Sequence, residues 1–305
     1  MLNTNGISGT NDYKYSKPRE KIKIQDNEAP TCVVLTYSVL PNIKDTLYSL
    51  YSRGASVHYT IEKVGKQVQH FNDLTDIAFF AGESSWGDKS SVNNFSIGTM
   101  LIHYVDETGK APEENFPTLQ IKKLIEFLRD VKTRYPNLDL KNNLVGLGEV
   151  AAKHIAPGKL FPWKTLAEHG FGQFIETTEA QRKKVKLSPG SEGEEVSILK
   201  KGLRNYGYDI EINDKWEHDD KSIGSTSRWV TKFNDRYVPG QPTELACVWT
   251  EASEYCLAEI LKSRPVAAPQ KSFLSSIAAF FCCGNSSNDD NSMPSASRNT
   301  PSSSN

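Results

Sequence analysis

The groups in this chain able to do chemistry are six imidazoles, five thiols and one loop rich in Gly, Ser and aromatics. Imidazoles that converge hold a transition metal or move a proton. His58, His70, His103, His154, His169 and His218 are scattered, and a histidine standing alone is by default a surface or satisfied core group. Cys32, Cys247, Cys256, Cys282 and Cys283 are odd in number and contain no CxxC, which argues against a disulfide framework and a zinc knuckle. Cys32 and Cys247 are expected as small core residues. The loop reads Ala81-Gly82-Glu83-Ser84-Ser85-Trp86-Gly87 and Asn93-Asn94-Phe95-Ser96-Ile97-Gly98, and it leads into the apolar run Thr99-Met100-Leu101-Ile102. Such loops often line binding sites, although glycines serving a tight turn would look the same.

The elements that must position these groups follow from pattern. Thr31 to Tyr37 is rich in β-branched residues and predicts a strand. Leu47, Leu50 and Tyr51 predict a short helix after Pro41. Ser56 to Glu62, the turn Val64-Gly65-Lys66 and Gln67 to Phe71 predict a hairpin. Thr118 is the expected N-cap of a helix carrying Ile121, Leu124, Ile125, Leu128 and Val131 on one face, and Leu144 to Leu147 is an expected strand. The fold class expected for residues 29–176 is therefore α/β, a mixed sheet flanked by helices. After a linker at 177–179, residues 180–263 predict a small three-helix module, with Val196, Leu199 and Leu203 on one face and Gly207 as a stop.

The ends differ in composition. Residues 1–28 are polar and read as a disordered arm without a signal peptide. That predicts a cytoplasmic protein, or one exported by a route that reads no cleavable signal. Residues 264–305 read as a disordered tail, interrupted by the apolar segment 272–283. It is too short to span a bilayer. Two readings stand: an interfacial anchor acylated at Cys282 and Cys283, with peripheral membrane contact, or a short helix packing on the body or on a protein partner. A formal net charge of −1 gives no electrostatic case for nucleic acid.

Taken in order, Ser56-Val57-His58-Tyr59, Gly65-Lys66-Gln67-Val68, the two loop motifs, and Pro157-Gly158 ahead of Leu160-Phe161-Pro162-Trp163 resemble the type 2 N-acetylmuramoyl-L-alanine amidases. This is the zinc amidase fold shared with peptidoglycan recognition proteins. Leu199 to Tyr208 resembles the peptidoglycan-binding module often joined to these bacterial cell-wall enzymes. The resemblance implies a zinc held by two His and one Asp, a Glu that takes a proton from the zinc-bound water, and a cationic group that stabilises the oxyanion.

The sequence departs at those places. The ligand positions fall on Thr36, Leu147 and Ala156, the Glu position on Met100 and the cationic position on His154. The last loop is one residue short, so its register is open. No carboxylate lies between Ala151 and Leu160 to supply the Asp. His103 is expected to face away from Met100 by the period of two. His58 and His154 are the two imidazoles that could approach the cleft, and two imidazoles without a third ligand make a weak site. Neutral replacements remove the repulsion and desolvation that unpaired ionic ligands would suffer. The expectation is thus an amidase scaffold without its metal and without catalysis. Its cleft would be walled by Tyr59, Phe80, Trp86, Asn94 and Ser96 and bind peptidoglycan or muropeptide fragments. The alternatives are a protein-binding adaptor with a filled cleft, and an active amidase that uses zinc differently.

Overall fold

The computed structural model describes residues 29–71, 73–103, 116–217 and 222–264. The expected arm, His218, and the tail with Cys282 and Cys283 lie outside the described residues. The described residues belong to one compact unit.

β1 (Cys32–Tyr37) is buried along its whole length. That is the environment of a central parallel strand covered on both faces, and its Val- and Leu-rich run suits it. α1 (Ile43–Ser52) starts at Asn42, whose side chain caps Asp45 N, and buries Ile43, Leu47 and Leu50. β2 (Tyr59–Ile61) and β3 (Gln67–Gln69) form the expected hairpin, shorter than the alternation suggested. Gly65 turns it at φ +79, with Leu119 O 3.0 Å from where a Cβ would stand. The small ribbon β4 (Ser85–Trp86) and β5 (Lys89–Ser90) then leads to β6 (Ser96–Leu101).

α2 (Thr118–Arg134) carries the predicted apolar face, but Pro117 occupies the cap position and Thr118 is the first helical residue. The sequence reading had taken Thr118 as the cap. Its buried Gln120 donates to Ile61 O and Ile102 O at 2.8 and 3.1 Å, fastening the helix to the sheet. β7 (Leu144–Gly146) ends one residue earlier than expected, because Leu147 opens the single helical turn α3 (Leu147–Val150). The main sheet runs β3-β2-β6-β1-β7, parallel except for the edge strand β3.

α4 (Trp163–Glu168) and α5 (Glu179–Lys183) follow. The module, expected to be purely helical, also holds a two-stranded ribbon: β8 (Val185–Leu187) pairs with a distant strand, β9 (Trp249–Thr250). Between them lie α6 (Glu194–Tyr206), ended by Gly207 at φ +130, and α7 (Thr226–Tyr237); α8 (Glu251–Ser263) closes the module. No helix among the described residues is long and apolar enough to cross a membrane.

Candidate functional site

Strand register decides which residues meet at the carboxyl edge of the sheet. Thr36 pairs with Met100, and Leu35 pairs with Gly146, so Leu147 follows directly beside Thr36. Gly148 N donates to Ala156 O at 2.7 Å, bringing the short loop back to the same edge. Strand register and this hydrogen bond therefore bring Thr36, Met100, Leu147 and Ala156 to one edge of the sheet. All four are buried.

What fills this edge is hydrocarbon. Met100 packs with Ile43, Leu47 and Leu50 of α1, together with Val57 and Ile102. Leu147 and Ala156 belong to the main core. Phe80 packs against both clusters. Its ring lies flat on Gly98, where an added Cβ would meet the ring at 2.4 Å. Phe80 N and Ala81 N both donate to Asn93 Oδ1, at 3.2 and 3.0 Å, which pins the loop that presents the ring.

A tetrahedral zinc centre needs three side chains with N, S or carboxylate donors. A threonine hydroxyl, an isobutyl group and a methyl group do not supply them, so this edge does not fit the metal. No group of three His, Cys, Asp or Glu elsewhere among the described residues is placed to hold one. His58 is fully buried and both ring nitrogens are used. Nε2 donates to Asp76 O at 2.7 Å, and Nδ1 accepts from Gly98 N at 2.9 Å. That pattern fixes the neutral tautomer, and burial pushes its pKa down to about 4. Burial does the same to His70, which meets Thr60 Oγ1 at 2.9 Å. His103 stacks on Phe116 with ring centroids 4.3 Å apart, while Met100 lies in the other cluster, as the period of two required. His154 is half-buried, its pKa lowered by burial and by Lys153 and Lys232. His169 is exposed.

The expected cleft wall is not one surface. Phe80 lies at the edge, and Asn94 is exposed. Tyr59 is buried against Phe127 of α2, with centroids 4.5 Å apart. Ser96 is buried within β6. Trp86 faces the helical module. It meets Tyr206 edge-on at 5.3 Å and approaches Gly207 closely enough that a Cβ there would stand 3.0 Å from the indole. Its Nε1 donates to Asn143 Oδ1 at 3.3 Å. Of the aromatic residues read from sequence as ligand-facing, Trp86 thus packs between the two parts of the chain and Tyr59 within the first part.

The residues that sequence reasoning missed lie on the same seam. Glu149 Oε2 accepts from Gly146 N at 2.7 Å and pairs with Arg236, and both side chains are buried. Glu149 Oε1 accepts from Tyr206 Oη at 2.6 Å. Arg236 also donates to Leu144 O at 2.8 Å and lies 3.9 Å over the Trp163 ring. Burial drives the Tyr206 and Tyr208 hydroxyls well above the ordinary phenol range, so they remain donors. Beside this pair, a cavity of about 480 Å³ separates α7 from the turn around Pro157. The signal available beforehand was the stripe Arg228, Lys232 and Asp235, spaced i, i+4, i+7 on one helix face.

Comparison with known proteins agrees on the scaffold. The profile of the family described as N-acetylmuramoyl-L-alanine amidase matches residues 24–159. A protein of Rickettsia conorii, provisionally named an N-acetylmuramoyl-L-alanine amidase, is 48% identical over 269 residues, covering 85% of this chain and 94% of that one. The amidase AmiD of Escherichia coli is 27% identical over 188 residues, 58% of this chain and 67% of AmiD. The structure of AmiD with its substrate anhydro-N-acetylmuramic acid-L-Ala-D-γ-Glu-L-Lys superposes with a TM-score of 0.61 at 22% identity, covering 80% of this chain and 93% of AmiD. AmpDh3 of Pseudomonas aeruginosa gives 0.60 at 20% identity, over 79% of this chain and 96% of that one.

Proposed function

The chain belongs to the N-acetylmuramoyl-L-alanine amidase family, and we propose that it is a non-catalytic member that binds peptidoglycan or muropeptide fragments. One observation carries the reading. The four positions that the family resemblance assigns to metal ligands and proton acceptor hold Thr36, Leu147, Ala156 and Met100, and these side chains are buried at the sheet edge. Without a Lewis acid or a carboxylate there, nothing polarises an amide carbonyl or takes a proton from water. AmiD in complex with its muropeptide substrate, and AmpDh3 in complex with an anhydromuramic pentapeptide, support the ligand class.

A second reading is favoured by Phe80, whose ring fills space over Gly98 and joins the two apolar clusters. A floor closed in this way suits an adaptor that binds a protein partner. One experiment separates the readings. The full chain is titrated calorimetrically with anhydromuramyl tripeptide and with intact sacculi, while its zinc content and amide cleavage are measured. Binding without cleavage and without stoichiometric zinc is the expected result. No binding to either ligand would favour the adaptor. Cleavage that stops with a chelator, with one zinc per chain, would overturn both.

A further inference from the structure

The cavity beside α7 has a polar wall and an apolar wall. Arg228, Lys232 and Asp235 of α7 form the first; Ile155, Pro157 and Trp163 form the second. Of the edge residues Ala156 lines it, whereas Thr36, Phe80, Met100 and Leu147 do not. Glu149 and Arg236 also reach it, but they neutralise each other. The two remaining cations each spend one contact on a neighbouring loop: Arg228 donates to Ala152 O at 3.3 Å, and Lys232 donates to His154 O. A guanidinium has five donors and an ammonium three, so both keep donors to offer.

Asp235 is partly exposed and lies in the field of Lys159 and Lys232. It has no hydrogen bond and no ion pair among the described residues. It stands in the last turn of α7, where the helix dipole disfavours an anion. Burial pushes its carboxyl up to about 6 and the Lys232 ammonium down to about 8.

We propose that this crevice binds a small zwitterion, seating an ammonium group on Asp235 and a carboxylate on Arg228 and Lys232. Three residues of helix separate Lys232 from Asp235 and seven separate Arg228 from it, roughly 4.5 and 10 Å along the axis. A free diamino acid or an extended peptide of two or three residues, at about 3.3–3.6 Å per residue, spans that range. Trp163 and Pro157 would cover the aliphatic part. The crevice shares Ala156 with the sheet edge but none of Thr36, Met100, Leu147 and Phe80, so the two readings are told apart by the ligands of the test.

The test titrates the full chain with the tripeptide L-Ala-D-γ-Glu-L-Lys without its sugar, with free L-lysine, and with the tripeptide acetylated at its amines. Binding of the tripeptide or of lysine tells a peptide end from a free amino acid, and either supports the proposal if acetylation and Asp235→Asn each weaken it at least tenfold. Asp235→Asn removes no hydrogen bond or ion pair among the described residues, only its attraction to Lys232 and Lys159, and an unchanged near-ultraviolet spectrum will confirm that it folds. Arg228→Gln is expected to weaken the same ligands. No heat from either amine-bearing probe, or equal affinity in Asp235→Asn, overturns the proposal. If anhydromuramyl tripeptide binds wild type and Asp235→Asn alike, the zwitterion site is wrong and the muropeptide reading survives. If only the sugar-free ligands bind, the reverse holds.

Discussion

His58 is buried and His70 partly so; the fold keeps both bases neutral, which weakens it in acid. Burial brings both down to about 4 from an ordinary 6.5. Between those values the unfolded chain binds protons that the native chain refuses. Each histidine therefore contributes stability that is fully present above pH 6.5 and is lost as pH falls through 4. The slope is roughly 1.4 kcal/mol per pH unit for each group. His70 touches the protein through Nε2 and Thr60, so it is the residue to vary. Urea unfolding of wild type and His70→Gln at pH 5, 6 and 7 should show the variant losing less stability on acidification, by about that slope. Other groups titrating in the window, Asp235 among them, cancel in the difference. Parallel pH profiles would refute the assignment.

Among the elements, α7 does most to join the two parts of the chain. The Arg236–Glu149 pair is buried, hydrogen-bonded to Leu144 O and Gly146 N, and flanked by Tyr206. Removing one charge from such a pair strands the other, which typically costs about 3–5 kcal/mol, whereas replacing both with apolar groups is often neutral or stabilising. Glu149→Leu should thus lower the unfolding midpoint sharply, and Glu149→Leu with Arg236→Met should recover most of the loss. A double variant as weak as the single one would show that the hydrogen bonds matter more than the charges. This seam also marks the limit of what the sequence disclosed. β1, the hairpin, α2 and α6 announced themselves through local periodicity, and the convergence of Thr36, Met100, Leu147 and Ala156 followed from motif order. Trp86 reads as ligand-facing because an aromatic in a Gly-rich loop looks the same whether it faces ligand or a second set of helices, and Tyr59 because nothing local shows that it packs on α2. Glu149 and Arg236 are 87 residues apart, and no local pattern encodes such a pairing. The β8–β9 ribbon was missed for the same reason.

At the scale of the molecule, the two parts share one interior. Trp86 from the loop before β6 packs on Tyr206 and Gly207, and Gly87 N donates to Gly207 O at 3.0 Å. Arg264, at the end of α8, reaches back to Asn142 O at 3.1 Å and lies 4.5 Å from the Tyr206 ring centre. Gln173 donates to Asn142 at 2.7 Å and accepts from Ser263 at 3.0 Å. Cutting the chain after residue 176 would expose the indole of Trp86 and leave Glu149 buried without its arginine. Separate modules would unfold in two steps, whereas a shared core with a buried charge pair predicts one. Heating should therefore give coincident transitions for tryptophan fluorescence and far-ultraviolet circular dichroism, with calorimetric and van't Hoff enthalpies in agreement. Limited proteolysis should not release a stable 29–176 fragment. Two resolved transitions, or a fragment that keeps its near-ultraviolet spectrum, would mean that the seam is a docking surface and that the module can be removed without loss of the sheet edge it covers.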